Sequence, residues 1–199
     1  RERQNRSLET IEKINNKWSN AQTFCGPVIS IPYTTTQVNP DNKTTIQEHL
    51  LNITPENLNI TTQLFPEERY YGIYKTILYK SEIDITGNFD KINFPKPENS
   101  IIHWEQAYLS IGVSDLRGIT ENIDFKLDNK QLSVEATGNL DTQIGKMLVM
   151  PLKNTDPLLF SQPQTFNCKL KLNGSSNINF IPIGKTTKVH VTGNWKSPG

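Results

Sequence analysis

Apolar residues recurring at every second position confine this chain to β-sheet. Phe166, Cys168, Leu170 and Leu172 alternate with Asn167, Lys169, Lys171 and Asn173, the pattern of a strand with one face buried and one in water. The same period marks Ile83 and Ile85, Leu109 to Val113, Ile123 to Leu127, Leu132 to Ala136, and Val189 and Val191. Turn residues separate these runs at Pro40-Asp41-Asn42, Pro55-Glu56-Asn57, Asp128-Asn129 and Asn173-Gly174. Asn173-Gly174, followed by the apolar run Ile178 to Ile183, predicts a hairpin. No helical pattern alternates with the strands, so a doubly wound parallel sheet is not expected. The expected fold is mainly β, an antiparallel β-sandwich or strongly curved sheet, with an N-terminal α-helix.

That helix is read over residues 1–20. Ser7 stands at a capping position, and Leu8, Ile11, Ile14 and Trp18 recur at helical spacing. Gly26-Pro27 ends any helical pattern. Residues 21–199 then form a single β-rich domain. The Pro-rich stretch 94–100 is a candidate subdomain seam, and 154–163 a second long loop.

A length of 199 residues suffices for a substantial core. Twenty-one Lys and Arg against twenty Asp and Glu leave a net charge of +1, which removes any broad electrostatic argument for a nucleic-acid partner. No run approaches the ~18 apolar residues of a spanning helix. Cys25 and Cys168 are too few for a disulfide scaffold; the plain reading is two buried thiols, with one bridge as the alternative.

Most motifs reduce to local structure. Gly184-Lys185-Thr186 resembles the end of a phosphate loop, but Asn179 stands where the first glycine belongs and a strand pattern follows, so it reads as a turn. Five Asn-x-Ser/Thr tripeptides, at Asn5, Asn42, Asn52, Asn59 and Asn173, are what an Asn- and Thr-rich chain produces by chance. His49, His103 and His190 lack the spacing of a helical metal pair. Trp104-Glu105 with Glu67-Glu68 would suit carbohydrate chemistry if the fold made them converge, yet adjacent glutamates on a strand face opposite ways. No catalytic, cofactor-binding or metal-binding residue is assigned, and no cofactor is expected.

Two motifs say more. Tyr70-Tyr71-Gly72-Ile73-Tyr74 predicts a strand with a bulge at its glycine. Ser114-Asp115-Leu116-Arg117-Gly118-Ile119 follows an alternating strand and predicts a tight corner braced by Asp115 and Arg117, with Gly118 at positive φ. If that corner is buried, loss of Arg117 costs roughly 3–5 kcal/mol. If it faces outward, Arg117 serves an anion or a partner.

With other landmarks in the same order, these two motifs resemble the inner membrane protein CreD family. The series begins with Gly26-Pro27-Val28 and Ile31-Pro32-Tyr33. It continues through Leu50-Leu51, Pro55-Glu56 and Leu58, then Pro66-Glu67 and Arg69 to Tyr74. Asp115 to Ile119 follows, then Phe180, Pro182-Ile183-Gly184 and Thr187, and Trp195 with Ser197-Pro198 closes it.

The resemblance implies a non-catalytic extracytoplasmic, periplasmic domain of a bacterial inner membrane protein involved in cell envelope integrity. It implies flanking transmembrane helices as the route to the membrane, a juxtamembrane role for residues 1–20, and a family pattern that continues past Ser197-Pro198. It places serine where Cys25 stands, which favours an unpaired thiol. Two other classes remain: a lipid- or glycan-binding β-sandwich module, or an envelope hydrolase, which needs convergent carboxylates or a hydroxyl–histidine pair in a pocket.

Overall fold

The computed structural model describes residues 19–38, 40–71, 74–92, 94, 97–142, 145–152 and 160–194. The expected N-terminal helix lies in residues 1–18, outside the described residues; Ser19 and Asn20, the end assigned to it, are not helical.

The strands form two sheets. The first holds β1 (Gln22–Val38), β2 (Thr44–Ile53), β5 (Ser100–Ile102), β6 (Tyr108–Val113), β9 (Glu135–Thr142), β10 (Gly145–Pro151) and β12 (Ile178–Phe180). The second holds β3 (Asn57–Tyr71), β4 (Tyr74–Phe89), β7 (Asp124–Leu127), β8 (Lys130–Leu132), β11 (Gln164–Ser175) and β13 (Thr186–Gly193), in the order β13-β3-β4-β11-β7-β8.

One core lies between the sheets. Phe24, Ile29, Leu109, Ile111 and Met150 come from the first, and Leu58, Ile60, Ile85, Phe125 and Leu172 from the second. The runs at Ile83 and Ile85, Phe125 and Leu127, and Phe166 to Leu172 therefore do what their spacing implies, alternate side chains filling the interior, whereas Val189 and Val191 on β13 are 45% and 47% exposed, contrary to their alternation. Cys25 is half-buried on β1 and Cys168 buried on β11, and both are free thiols. Burial raises the pKa of each, that of Cys168 to about 12.

Two sequence expectations about topology fail. The sandwich is not purely antiparallel, because β12 pairs parallel with β1 and β13 parallel with β3. Asn173-Gly174 is also not a hairpin turn. Both residues lie within β11 and pair with Lys80 and Tyr79 of β4. The chain turns later, at Ser176 with φ 65°, and β12 then crosses to the other sheet. A Cβ on Gly174 would strike the Tyr79 ring, so this glycine serves close packing.

β1 is the organising strand. Its first half pairs with β6, and its second half projects with β2 on one edge and β5 on the other. A row of aromatic contacts holds this projecting arm: Phe160 stacks on Trp104 at 5.4 Å, Trp104 meets Phe94 edge-on at 6.3 Å, Phe94 meets Tyr33 edge-on at 5.4 Å, and Tyr33 stacks on His49 at 4.8 Å. Phe94, from the expected seam, thus packs within this row.

Candidate functional site

The motif Ser114 to Ile119 leaves β6 and carries the chain from the first sheet to the second. Ile119 bridges Leu172 of β11, and Thr120 N donates to Lys171 O at 3.2 Å. Asp115 opens a single 3₁₀ turn, its carboxylate accepting from Arg117 N at 3.1 Å. The Arg117 side chain folds back onto the same carboxylate, with Nε at 2.9 Å and Nη2 at 2.6 Å. The brace foreseen from the sequence therefore forms.

Its burial is not what the larger energetic estimate required. The Asp115 side chain is 12% exposed, but that of Arg117 is 55% exposed. Half in water, this pair contributes little to stability. Arg117→Ala is accordingly expected to lower the unfolding midpoint only slightly, measured by chemical denaturation.

The Arg117 guanidinium holds the Asp115 carboxyl down, from 3.8 to about 2. A depressed carboxylate stabilises the fold above its unfolded pKa, and that contribution is lost as pH falls through the folded one. Asp115→Asn should therefore flatten the stability profile between about pH 4 and pH 2 and leave its shape above pH 5 unchanged.

The residue that organises the corner is one the motif does not contain. Gln22, at the start of β1, is completely buried. Its Nε2 lies 2.7 Å from Ser19 Oγ, 3.0 Å from Asp115 O and 3.1 Å from Asn173 O. Its Oε1 accepts from Asp115 N at 3.2 Å and Ser114 Oγ at 3.1 Å. One amide thus ties β1, the corner and β11 together across the two sheets. Beside it, Gln22 N and the Tyr79 hydroxyl both donate to Asn177 O, at 3.1 and 2.7 Å, and burial pushes the Tyr79 pKa up.

Gly118 sits against this amide. Its φ is not positive, contrary to expectation; a Cβ there would instead collide with Asn173 O and Gln22 Nε2. Outside the hub, Asn20, Ala21, Asp115, Leu116, Arg117 and Lys146 line a shallow cleft of about 470 Å³.

A second cleft, about 610 Å³, lies on the arm and contains Thr34, Glu48, His103 and Gln106. Thr34 Oγ1 stands 3.3 Å from His103 Nε2, and His103 Nδ1 3.5 Å from Glu105 Oε1. The fold so brings a hydroxyl to an imidazole that the sequence left apart. Thr34, however, sits between two ladders, opposite Glu48 and Ile101, so strand pairing uses its backbone groups. Glu105 is 68% exposed and holds the ring weakly. His49 bonds instead to Thr35, whose side chain takes the opposite face, at 2.8 Å. Among the described residues no group of three metal-ligating side chains occurs.

The remaining motifs are built into structure. Glu67 pairs with Arg69 and Glu68 with Lys75 toward the far end of β3, while Trp104 belongs to the aromatic row. Lys185 N and Thr186 N donate to Pro55 O and Glu56 O, so the Gly184 turn docks on the loop before β3. The strand expected to run on through Tyr70 to Tyr74 is two strands instead: β3 ends at Tyr71 and β4 begins at Tyr74, which pair antiparallel, while Gly72 and Ile73 lie outside the described residues.

A family model described as "Inner membrane protein CreD" matches residues 1–199. The chain is 26% identical over 190 residues to the inner membrane protein CreD of Escherichia coli (strain K12), an alignment covering 94% of this chain and 42% of that protein. The chain therefore spans less than half the length of this curated relative. No solved structure matches.

Proposed function

The chain belongs to the inner membrane protein CreD family, and from that membership we propose that it is the non-catalytic periplasmic part of a bacterial inner membrane protein that serves cell envelope integrity. The family match over the whole chain carries this reading. Among the described residues no helix is long and apolar enough to cross a membrane, so the reading assigns anchorage to flanking transmembrane helices, with residues 1–20 as the connection.

The corner supports a scaffold role. Its most conspicuous acid and base engage each other, and its backbone is committed to Gln22. The Thr34–His103 pair offers the best footing for a hydrolase, but its backbone leaves little room for an oxyanion site.

Placement is tested in intact cells carrying the full-length protein with Thr44→Cys, an exposed position at the start of β2. Permeabilising the outer membrane should allow labelling by a maleimide that cannot cross the inner membrane. Labelling only after lysis would overturn the periplasmic assignment. Turnover of glycan, peptide or ester substrates by the purified chain, abolished in Thr34→Val, would overturn the non-catalytic one.

A further inference from the structure

On the reading that this chain is a periplasmic segment with a transmembrane anchor on each side, we propose that the tip of the β3–β4 hairpin, Arg69 to Lys75, rests in the headgroup boundary of the same membrane.

Strand lengths and directions aim the hairpin. β11 flanks β4 only as far as Ser175, opposite Leu78, and β13 flanks β3 only as far as Gly193, opposite Leu64. The hairpin continues to Tyr71 and Tyr74, so its tip stands about 24 Å beyond Leu64 at the usual strand rise. β13 is parallel to β3 and therefore leads toward that tip. At the entry to β1, Asn20 O accepts from Ser175 N at 3.3 Å, which sets it level with Glu67 of the hairpin. β1 then runs parallel to β12, and β12 leads from Asn177, bonded to the Tyr79 hydroxyl, toward Gly184, packed beside Leu58. β1 thus starts on the tip side of the fold and runs away from it. Both connections to the anchors leave the fold where the hairpin projects, and the hairpin reaches beyond either point.

The tip has the composition of a membrane–water interface. Arg69-Tyr70-Tyr71-Gly72-Ile73-Tyr74-Lys75 carries three tyrosines and an isoleucine between two bases. Tyrosine is favoured at headgroup level because its ring is apolar and its hydroxyl polar. Tyr70 is 66% exposed, and Phe65, on the other face of β3, is 38% exposed. The acids nearby are each held by a base, Glu67 by Arg69 at 2.8 Å and Glu68 by Lys75, so no lone carboxylate meets lipid phosphate. The contact is carried by aromatic rings rather than net charge, and it should survive high salt. A lipid surface is also the occupant that the two anchors bring to this tip without any further partner.

The test uses the full-length protein in a Cys25→Ser background, with a single cysteine at Tyr70→Cys or, on the far arm, at Thr44→Cys; both positions are exposed in the fold. In cells with a permeabilised outer membrane, a maleimide that cannot cross the inner membrane should label Thr44→Cys and react several-fold more slowly at Tyr70→Cys. Equal rates at the two positions would overturn the hairpin contact and leave the periplasmic placement standing. Failure to label Thr44→Cys before lysis would remove the placement, and the contact with it. Reconstitution into phosphatidylcholine–phosphatidylglycerol vesicles separates lipid from protein as the cause of protection. A fluorophore on Tyr70→Cys should be quenched by nitroxide-labelled lipid at low and high salt, and one on Thr44→Cys should not. Tyr71→Ser with Tyr74→Ser should weaken that quenching. Slow labelling at Tyr70→Cys without quenching would assign the tip to a protein neighbour and overturn the proposal.

Discussion

Gly118→Val is expected to lower stability by about 3 kcal/mol or more. The cause is contact. A Cβ at this position meets the Asn173 carbonyl and the Gln22 amide far inside van der Waals distance, and Leu172 Cδ1 closes a third side. Asn173 belongs to β11, hydrogen-bonded along its whole length to β4, so its carbonyl cannot move without shifting that strand. Gln22 cannot swing away without abandoning its partners on both sheets. The substitution series separates contact from backbone conformation. Asparagine tolerates positive φ, so it would be the mildest replacement if the turn required that region. Because φ is ordinary here and space is the constraint, Gly118→Ala should be milder than Gly118→Asn. Urea unfolding midpoints of the three variants decide the order.

Gln22→Leu is expected to cost about 3–4 kcal/mol, although its size changes little. The amide leaves behind the carbonyls of Asp115 and Asn173, the N–H of Asp115 and the hydroxyls of Ser19 and Ser114. Water cannot readily replace the amide at a position with no exposed surface, so the loss exceeds that of one ordinary hydrogen bond. Gln22→Glu makes a sharper test, because a carboxylate accepts but does not donate. At neutral pH it would set an anion beside two carbonyl oxygens. Burial raises its pKa, so protonation on folding should restore part of the stability as the pH falls. Chemical denaturation at several pH values, compared with wild type, measures that recovery. A Gln22→Leu variant as stable as wild type would remove the amide from the account of how the sheets are joined.

These two residues differ in how readable they were. Gly118 stands out in the sequence because a glycine follows an acid and a base at the end of an alternating strand, and the structure leaves no room for a side chain there. The reason assigned to it was wrong, because the atoms that exclude a side chain belong to residues 22 and 173. Gln22 did not stand out at all. Its one signal was an amide two positions before the fully buried Phe24, on the buried side of an apolar strand.

His49 and His103 show the same division. Their spacing carried no information, yet the register of β1 with β2 and β5 sets their rings against Thr35 and Thr34. The departure of β12 for the far sheet was equally hidden, since a hairpin and a crossover use similar turn residues.

What the sequence alone determined was the strand period and hence the inward set, from Phe166 to Leu172 and from Leu109 to Val113, because side-chain direction alternates along any strand whatever its neighbour. Partner choice, strand direction and the Gln22 junction were decided only by tertiary structure. Each depends on contacts between residues far apart in the chain, and these acquire a geometry only when the two sheets close on their common core.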